Sequence, residues 1–131
     1  MKVLIIDDHA AMRQTIKSVL NAPGMEFIEG GDGQAAIRLF SAHHPDWVLM
    51  DYMLPKMDGL DATREIHHLN PIARILFVTN YDDAHLRAAA TEAGACGFVP
   101  KERLTELRCF ITTPTAAAGN DAAILPKARA I

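Results

Sequence analysis

At 131 residues the chain is long enough for one domain with a sizeable core, and half of its residues are hydrophobic against 22% charged, an ordinary globular balance. A net charge of −3 leaves no footprint for nucleic acid or an anionic membrane surface. No apolar run reaches the roughly 18 residues of a spanning helix and no secretory cleavage pattern follows the N-terminus. The two cysteines, Cys96 and Cys109, make neither a disulfide framework nor a metal spacing, so a reduced, cytoplasmic setting is expected.

Val3-Leu4-Ile5-Ile6 reads as a short buried strand closed by Asp7 and Asp8. Asp8 or His9 is placed to cap the following helix, whose stripe is Ala10, Ile16, Val19 and Leu20 and which Pro23-Gly24 stops. A second strand, about Met25 to Glu29, leads through the turn Gly30-Gly31-Asp32-Gly33 into a helix carrying Ala36, Ile37, Leu39 and Phe40, ending near His43-His44-Pro45. Trp47-Val48-Leu49-Met50 has no amphipathic period, as expected of a strand covered on both faces. It ends on Asp51 before a loop with Pro55, and Asp58-Gly59 opens a third helix through Leu60, Ile66 and Leu69, stopped at Asn70-Pro71.

Ile75-Leu76-Phe77-Val78 is a fourth strand ending on Thr79, and Asp82 and Asp83 start an alanine-rich helix closed by Gly94. Gly97-Phe98-Val99-Pro100 is a brief fifth strand ending on Lys101; proline donates nothing to a ladder, so Pro100 belongs on an edge strand or a strand end. A fifth helix is expected over Arg103–Ile111, through Leu104, Leu107, Phe110 and Ile111. Strands and helices alternate with connections short enough for right-handed crossovers, which predicts an α/β doubly wound sheet.

The strand ends carry the chemistry: Asp7 and Asp8, Asp51, Thr79 and Lys101. Ligands of open α/β sheets bind at the carboxyl ends of strands, and with the first strand central these residues share one edge. Singly, each has a plain reading as a turn-starting Asp, a packed Thr or a solvated Lys; together they are hard to assign to chance. Carboxylates about 4–5 Å apart repel by roughly 4 kcal/mol per pair at an effective dielectric near 20. Lys101 supplies one positive charge and a divalent cation the rest, with hard oxygen ligands suiting Mg²⁺. Such a set serves phosphoryl transfer to a carboxylate, with the metal, the lysine and a threonine hydroxyl meeting the charge on the transferred oxygens. His43-His44 and His67-His68 are not expected to bind metal, since adjacent helical residues do not share a face. His9, beside the acid pair, is within reach of the site, although a helix-start role is the one expected, and Met53 and Met57 are expected to fill loop and core.

Taken as a set, Asp7-Asp8, the Asp-x-x-x-Pro-x-x-Asp-Gly run from Asp51 to Gly59, Thr79 and Phe98-Val99-Pro100-Lys101 closely resemble the receiver domain of bacterial two-component response regulators, over Met1 to about Ile111. The resemblance implies a flavodoxin-like (βα)5 sandwich with strand order 2-1-3-4-5. It implies that Asp51 accepts phosphate from a histidine kinase, and that Asp7 and Asp8 hold Mg²⁺ with Asp51 and the backbone carbonyl of Met53. Thr79 and Lys101 would bind the phosphoryl oxygens. Phe98 matches the aromatic that swings inward when the threonine moves, and reads equally as an edge-strand core residue. Two positions depart from the pattern: Glu102 follows Lys101 where many receivers have proline, and Asn80 follows Thr79 where a small residue is usual, crowding the phosphoryl site.

Residues 112–131 read as the end of the fifth helix and a linker or tail. Thr113-Pro114 interrupts the helix and can restart a short turn. Asn120 to Arg129 is similar to the linker of nitrate-response and nitrogen-fixation regulators, in which a helix-turn-helix domain follows. No output domain and no DNA binding are expected within this chain; the expected output is transcriptional, through a domain outside it. The expected partner face, including a homodimer, is the fourth helix, fifth strand and fifth helix, with Leu86, Leu104 and Leu107. No enzymatic activity is expected beyond the chain's own phosphorylation and dephosphorylation. The alternatives are an aspartyl-phosphate hydrolase, which would place its nucleophile after the first strand and need a cap, and a phosphate-independent pseudo-receiver, which the intact acid pair, Asp51, Thr79 and Lys101 argue against.

Overall fold

A computed structural model describes residues 1–81 and 83–111. The apolar runs form β1 (Lys2–Ile6), β2 (Glu26–Gly30), β3 (Trp47–Met50), β4 (Ile75–Thr79) and β5 (Gly97–Pro100). Between them lie α1 (Ala10–Leu20), α2 (Gly33–His43), α3 (Gly59–Leu69) and α4 (Ala84–Ala93), and α5 (Leu107–Ile111) ends the described chain. Every pairing is parallel and the order is β2-β1-β3-β4-β5, the flavodoxin-like arrangement that the resemblance implied.

Alternate residues of each strand divide the core between the two faces of the sheet. Leu4, Ile6, Val48, Met50, Ile75 and Phe77 pack with residues of α2, α3 and α4, including Phe40 and Ile66. Val3, Ile5, Trp47, Leu49, Leu76, Val78 and Val99 pack with Ile16 and Leu20 of α1 and with Leu107 and Ile111 of α5. β3 is buried at all its positions, which is why its sequence lacks a period. Pro100 lies at the end of the edge strand β5, opposite Thr79.

Three helices that leave the carboxyl edge of the sheet start on an aspartate. Asp32 accepts from the Ala35 N–H at 2.7 Å, Asp58 from Asp61 at 3.0 Å and Asp83 from Leu86 at 2.8 Å. Each cap contributes about 1 kcal/mol, and together they anchor the loops around that edge. α2 and α4 end on left-handed His44 and Gly94, a conformation glycine takes without penalty.

Two expectations are corrected. β2 begins at Glu26 and runs to Gly30, whose carbonyl accepts the Asp7 N–H at 3.1 Å and so extends the ladder to the site. The fifth helix does not run from Arg103: Lys101–Glu106 is a 3-10 segment, interrupted by non-helical backbone at Arg103 (φ −129°, ψ 47°), and only Leu107–Ile111 is α-helical. Lys101 leaves β5 with its side chain turned into the carboxyl edge, and an irregular turn reconciles that direction with burial of Leu107 and Ile111. The Thr113-Pro114 break, the segment from Asn120 to Arg129 and the share of Asp82 in starting α4 lie outside the described residues. Among the described residues no helix is long and apolar enough to cross a membrane.

Candidate functional site

The carboxyl edge places Asp7 after β1, Asp51 after β3, Thr79 at the end of β4 and Lys101 after β5, and Asp7, Asp51 and Thr79 are all buried. Lys101 reaches across the edge. Its Nζ stands 2.7 Å from Asp7 Oδ2 and donates to Asp51 Oδ2 at 3.2 Å. Asp51 Oδ1 accepts the Tyr52 N–H at 2.8 Å, and the Asp51 N–H donates to the Ile6 carbonyl at 3.0 Å, tying the acid to β1. Asp7 Oδ1 accepts the His9 N–H at 2.9 Å, and the Asp7 carbonyl accepts from Arg13 Nη1 at 2.6 Å. Asp8 is exposed.

Burial pushes the Asp51 carboxyl above its ordinary value; Lys101 opposes the shift and the Asp7 charge adds to it. Burial alone would lower the Lys101 ammonium, but Asp7 and Asp51 overcome it and hold Lys101 above its ordinary value. Lys101 is therefore charged, one ammonium against three carboxylates. Asp7 Oδ2 is buried and has no hydrogen bond, its contact with Lys101 being a close ion pair of poor hydrogen-bond direction. A carboxyl oxygen short of partners, in a site short of positive charge, fits a divalent cation. Among the described residues the group able to share one is Asp7, Asp8 and His9, with ligand atoms all within 4.8 Å of one another. Asp51 is not in that group and meets Asp7 through Lys101. The histidine pairs at 43–44 and 67–68 do not enter it.

The loop from Asp51 to Gly59 is held by close backbone approach. A Cβ on Gly59 would run into the Asp51 carbonyl oxygen, and one on Gly33 into the Met57 carbonyl, so both positions exclude a side chain for lack of space. The Gly59 N–H donates to the Tyr52 carbonyl at 2.9 Å. Within the loop the Met57 N–H donates to the Pro55 carbonyl at 2.8 Å around Lys56, whose φ is 71°, the signature of a γ-turn.

Thr79 Oγ1 accepts the Tyr81 N–H at 3.3 Å. Asn80 is exposed and lines the mouth of a cleft of about 410 Å³ with Asp8, Met53, Tyr81 and Lys101. Phe98, half-buried on β5, stacks against Phe77 at 6.3 Å, while the Arg87 guanidinium lies over its ring at 4.5 Å. Sequence reasoning missed Arg13, the Tyr52 amide, Arg87 and the spacing role of Gly33. Only the last had a signal: a glycine in the first turn of a helix costs stability unless something must come close.

The response regulator receiver domain family matches residues 3–111. The chain belongs to that family. It is 37% identical over 101 residues to the chemotaxis protein CheY of Bacillus subtilis, covering 76% of this chain and 84% of CheY. It is 32% identical to the response regulator MprA of Mycolicibacterium vanbaalenii, covering 95% of this chain and 57% of MprA. The crystal structure of a LuxR-family two-component response regulator from Aurantimonas sp. SI85-9A1 superposes with a TM-score of 0.81 at 34% identity, covering 93% of this chain and 88% of that one. The chain spans about half the length of several regulators it matches. The chain thus has relatives of nearly its own length and others about twice as long, and a divalent metal and phosphorylation are typical of its family.

Proposed function

We propose that Asp51 is the phosphoacceptor of this receiver and takes its phosphoryl group from a histidine kinase. The observation that carries the reading is Lys101 Nζ, fixed 2.7 Å from Asp7 and 3.2 Å from Asp51 beside an open cleft. A carboxylate oxygen of Asp51 attacks phosphorus, the P–N bond to the donor imidazole breaks, and the imidazole leaves with that electron pair and takes up a proton. Asp7, Asp8, Asp51 and the Met53 carbonyl would hold Mg²⁺, which when bound supplies positive charge to the phosphoryl oxygens. Lys101 and the Thr79 hydroxyl bind those oxygens. Water later hydrolyses the acyl phosphate, so the chain's only chemistry is its own phosphorylation and dephosphorylation.

Phosphorylation adds about −1.5 to −2 charge at Asp51. It draws Thr79 inward, and Phe98 follows into the space, leaving the cover of Arg87. The change is read at the face of α4, β5 and α5, through a second copy or another protein, and the output is transcriptional through a domain outside this chain, in the cytoplasm. Specific DNA binding by residues 1–131 alone is not part of this reading.

Acetyl phosphate with and without Mg²⁺, applied to the wild type and to Asp51→Asn, tests it. Mg²⁺-dependent label of the acyl phosphate kind, lost in base and to hydroxylamine, is expected on the wild type and none on the variant. Equal labelling of both would remove Asp51; rapid multiple turnover of small phosphate esters would favour a hydrolase, and no labelling at all a pseudo-receiver.

A further inference from the structure

We infer that Arg13 is a positioning residue for the divalent ion: it holds the peptide that joins Asp7 to Asp8 and so aims the acid pair, and Glu29 of β2 holds it in turn. The inference rests on the acid pair binding the ion, as proposed above, and adds to it a residue that touches neither ion nor phosphate.

Three charged side chains meet behind the pair. Arg13 and Lys17 lie one turn apart on α1 and share a face. Glu29 stands beside Ile5 in the β1–β2 register, and neighbours across a ladder point to the same side of the sheet. Ile5 packs with Ile16 and Leu20 of α1, so Glu29 is presented to α1 as well. Arg13 Nε donates to Glu29 Oε1 at 2.9 Å and Lys17 Nζ to Oε2 at 2.6 Å. Lys17 and, against burial, Arg13 hold the Glu29 carboxyl below its ordinary value, so the clamp is charged at neutral pH.

From that anchor Arg13 reaches the site. Its Nη1 donates to the Asp7 carbonyl at 2.6 Å, while the Asp7 N–H donates to the Gly30 carbonyl at 3.1 Å. The peptide before Asp7 is thus fixed by the ladder and the peptide after it by the guanidinium. The second plane sets the direction in which Asp8 leaves the chain. Asp7 is buried, with Oδ1 held by the His9 N–H, whereas Asp8 is exposed and depends more on the backbone that carries it. An ion pair with Glu29 alone would contribute little at this exposure; the bond to the Asp7 carbonyl is what ties Arg13 to the site. Arginine suits the task because its planar fork serves a carbonyl and a carboxylate at once, where a lysine offers one point charge.

The test uses the full chain as wild type, Arg13→Ala, Arg13→Lys, Lys17→Ala and Asp8→Asn. Mg²⁺ alone is titrated and followed by amide NMR shifts, melting curves report the fold, and acetyl phosphate labelling is timed at saturating Mg²⁺. Arg13→Ala is expected to weaken Mg²⁺ binding about tenfold, the lower end of what losing a partner that orients metal ligands does, with labelling at saturating Mg²⁺ unchanged. Arg13→Lys is expected to weaken it less, and Lys17→Ala, which loosens Glu29 without touching Asp7, not at all. Wild-type Mg²⁺ affinity in Arg13→Ala would overturn the inference. Equal weakening in Arg13→Ala and Lys17→Ala would also overturn it, by making the ion cluster a general support of α1, and so would saturated labelling that falls as far as the affinity. If Arg13→Ala melts too low to titrate, Arg13→Lys decides: weaker Mg²⁺ binding at a wild-type melting point supports the inference, and wild-type affinity overturns it. Mg²⁺ binding weakened in Asp8→Asn but in neither Arg13 variant would leave the acid site standing and remove Arg13 from it; Mg²⁺ binding indifferent to Asp8→Asn would remove the acid site itself.

Discussion

Asp51 is a carboxylate that the fold holds at a cost. Burial raises its proton affinity and the Asp7 charge adds to the strain, against Lys101 and the Tyr52 amide. A raised acid binds its proton more tightly folded than unfolded, so its ionisation destabilises the fold above the folded pKa. That penalty fades as pH falls through the folded pKa and is gone below the ordinary value of about 3.9. In metal-free buffer at neutral pH, Asp51→Asn is therefore expected to melt a few degrees above the wild type, the size of shift that about 1 kcal/mol gives in a small domain. The margin should narrow as pH falls through that window. Melting curves of both proteins against pH check it; a margin independent of pH, or a wild type more stable at neutral pH, would mean that Lys101 more than repays the burial.

At the scale of elements, the loop from Asp51 to Gly59 is positioned by what two glycines leave out. Gly59→Ala would drive a methyl group into the Asp51 carbonyl, a backbone atom that cannot rotate away. A loss of about 2 kcal/mol or more is expected, with slower phosphorylation because Asp51 moves with its own carbonyl. Chemical denaturation and labelling rate measure both, and an unperturbed variant would show the loop free to shift. This tight approach was not visible in the sequence, where Gly59 looked like part of a helix start. The strands were legible, because runs such as Val3 to Ile6 and Ile75 to Val78 are apolar without a helical period. The start of α5 was not: Leu104, Leu107 and Ile111 fit a helical stripe whether the turn before them is α or 3-10, and nothing local reports that Lys101 must face inward. At the site, the strand-end residues were legible one by one, but the bridge from Lys101 to Asp7 and Asp51 depends on strand order. That order came from family resemblance, because hydrophobic pattern does not encode which strands are neighbours.

For the whole molecule, a charge placed at one edge must be read elsewhere. Thr79 stands between Asp51 and the outer strand, and Phe98 is packed between Phe77 and the Arg87 guanidinium. A ligand shifts such an equilibrium only by contacting the two states differently, and in the proposed mechanism that contact is Thr79. Beryllofluoride with Mg²⁺ is expected to change the sedimentation of the wild type through the α4, β5 and α5 face, and to change that of Thr79→Ala much less. An equal response would remove Thr79 as the relay, and no response in either would move the output surface elsewhere. All of this depends on where the phosphoryl group lands. The most direct measurement is to label the protein with acetyl phosphate and Mg²⁺, reduce the acyl phosphate with borohydride, and locate the resulting homoserine by peptide mass spectrometry. The account predicts reduction at Asp51; reduction at Asp7 or Asp8, or none in a protein that carries label, would contradict it.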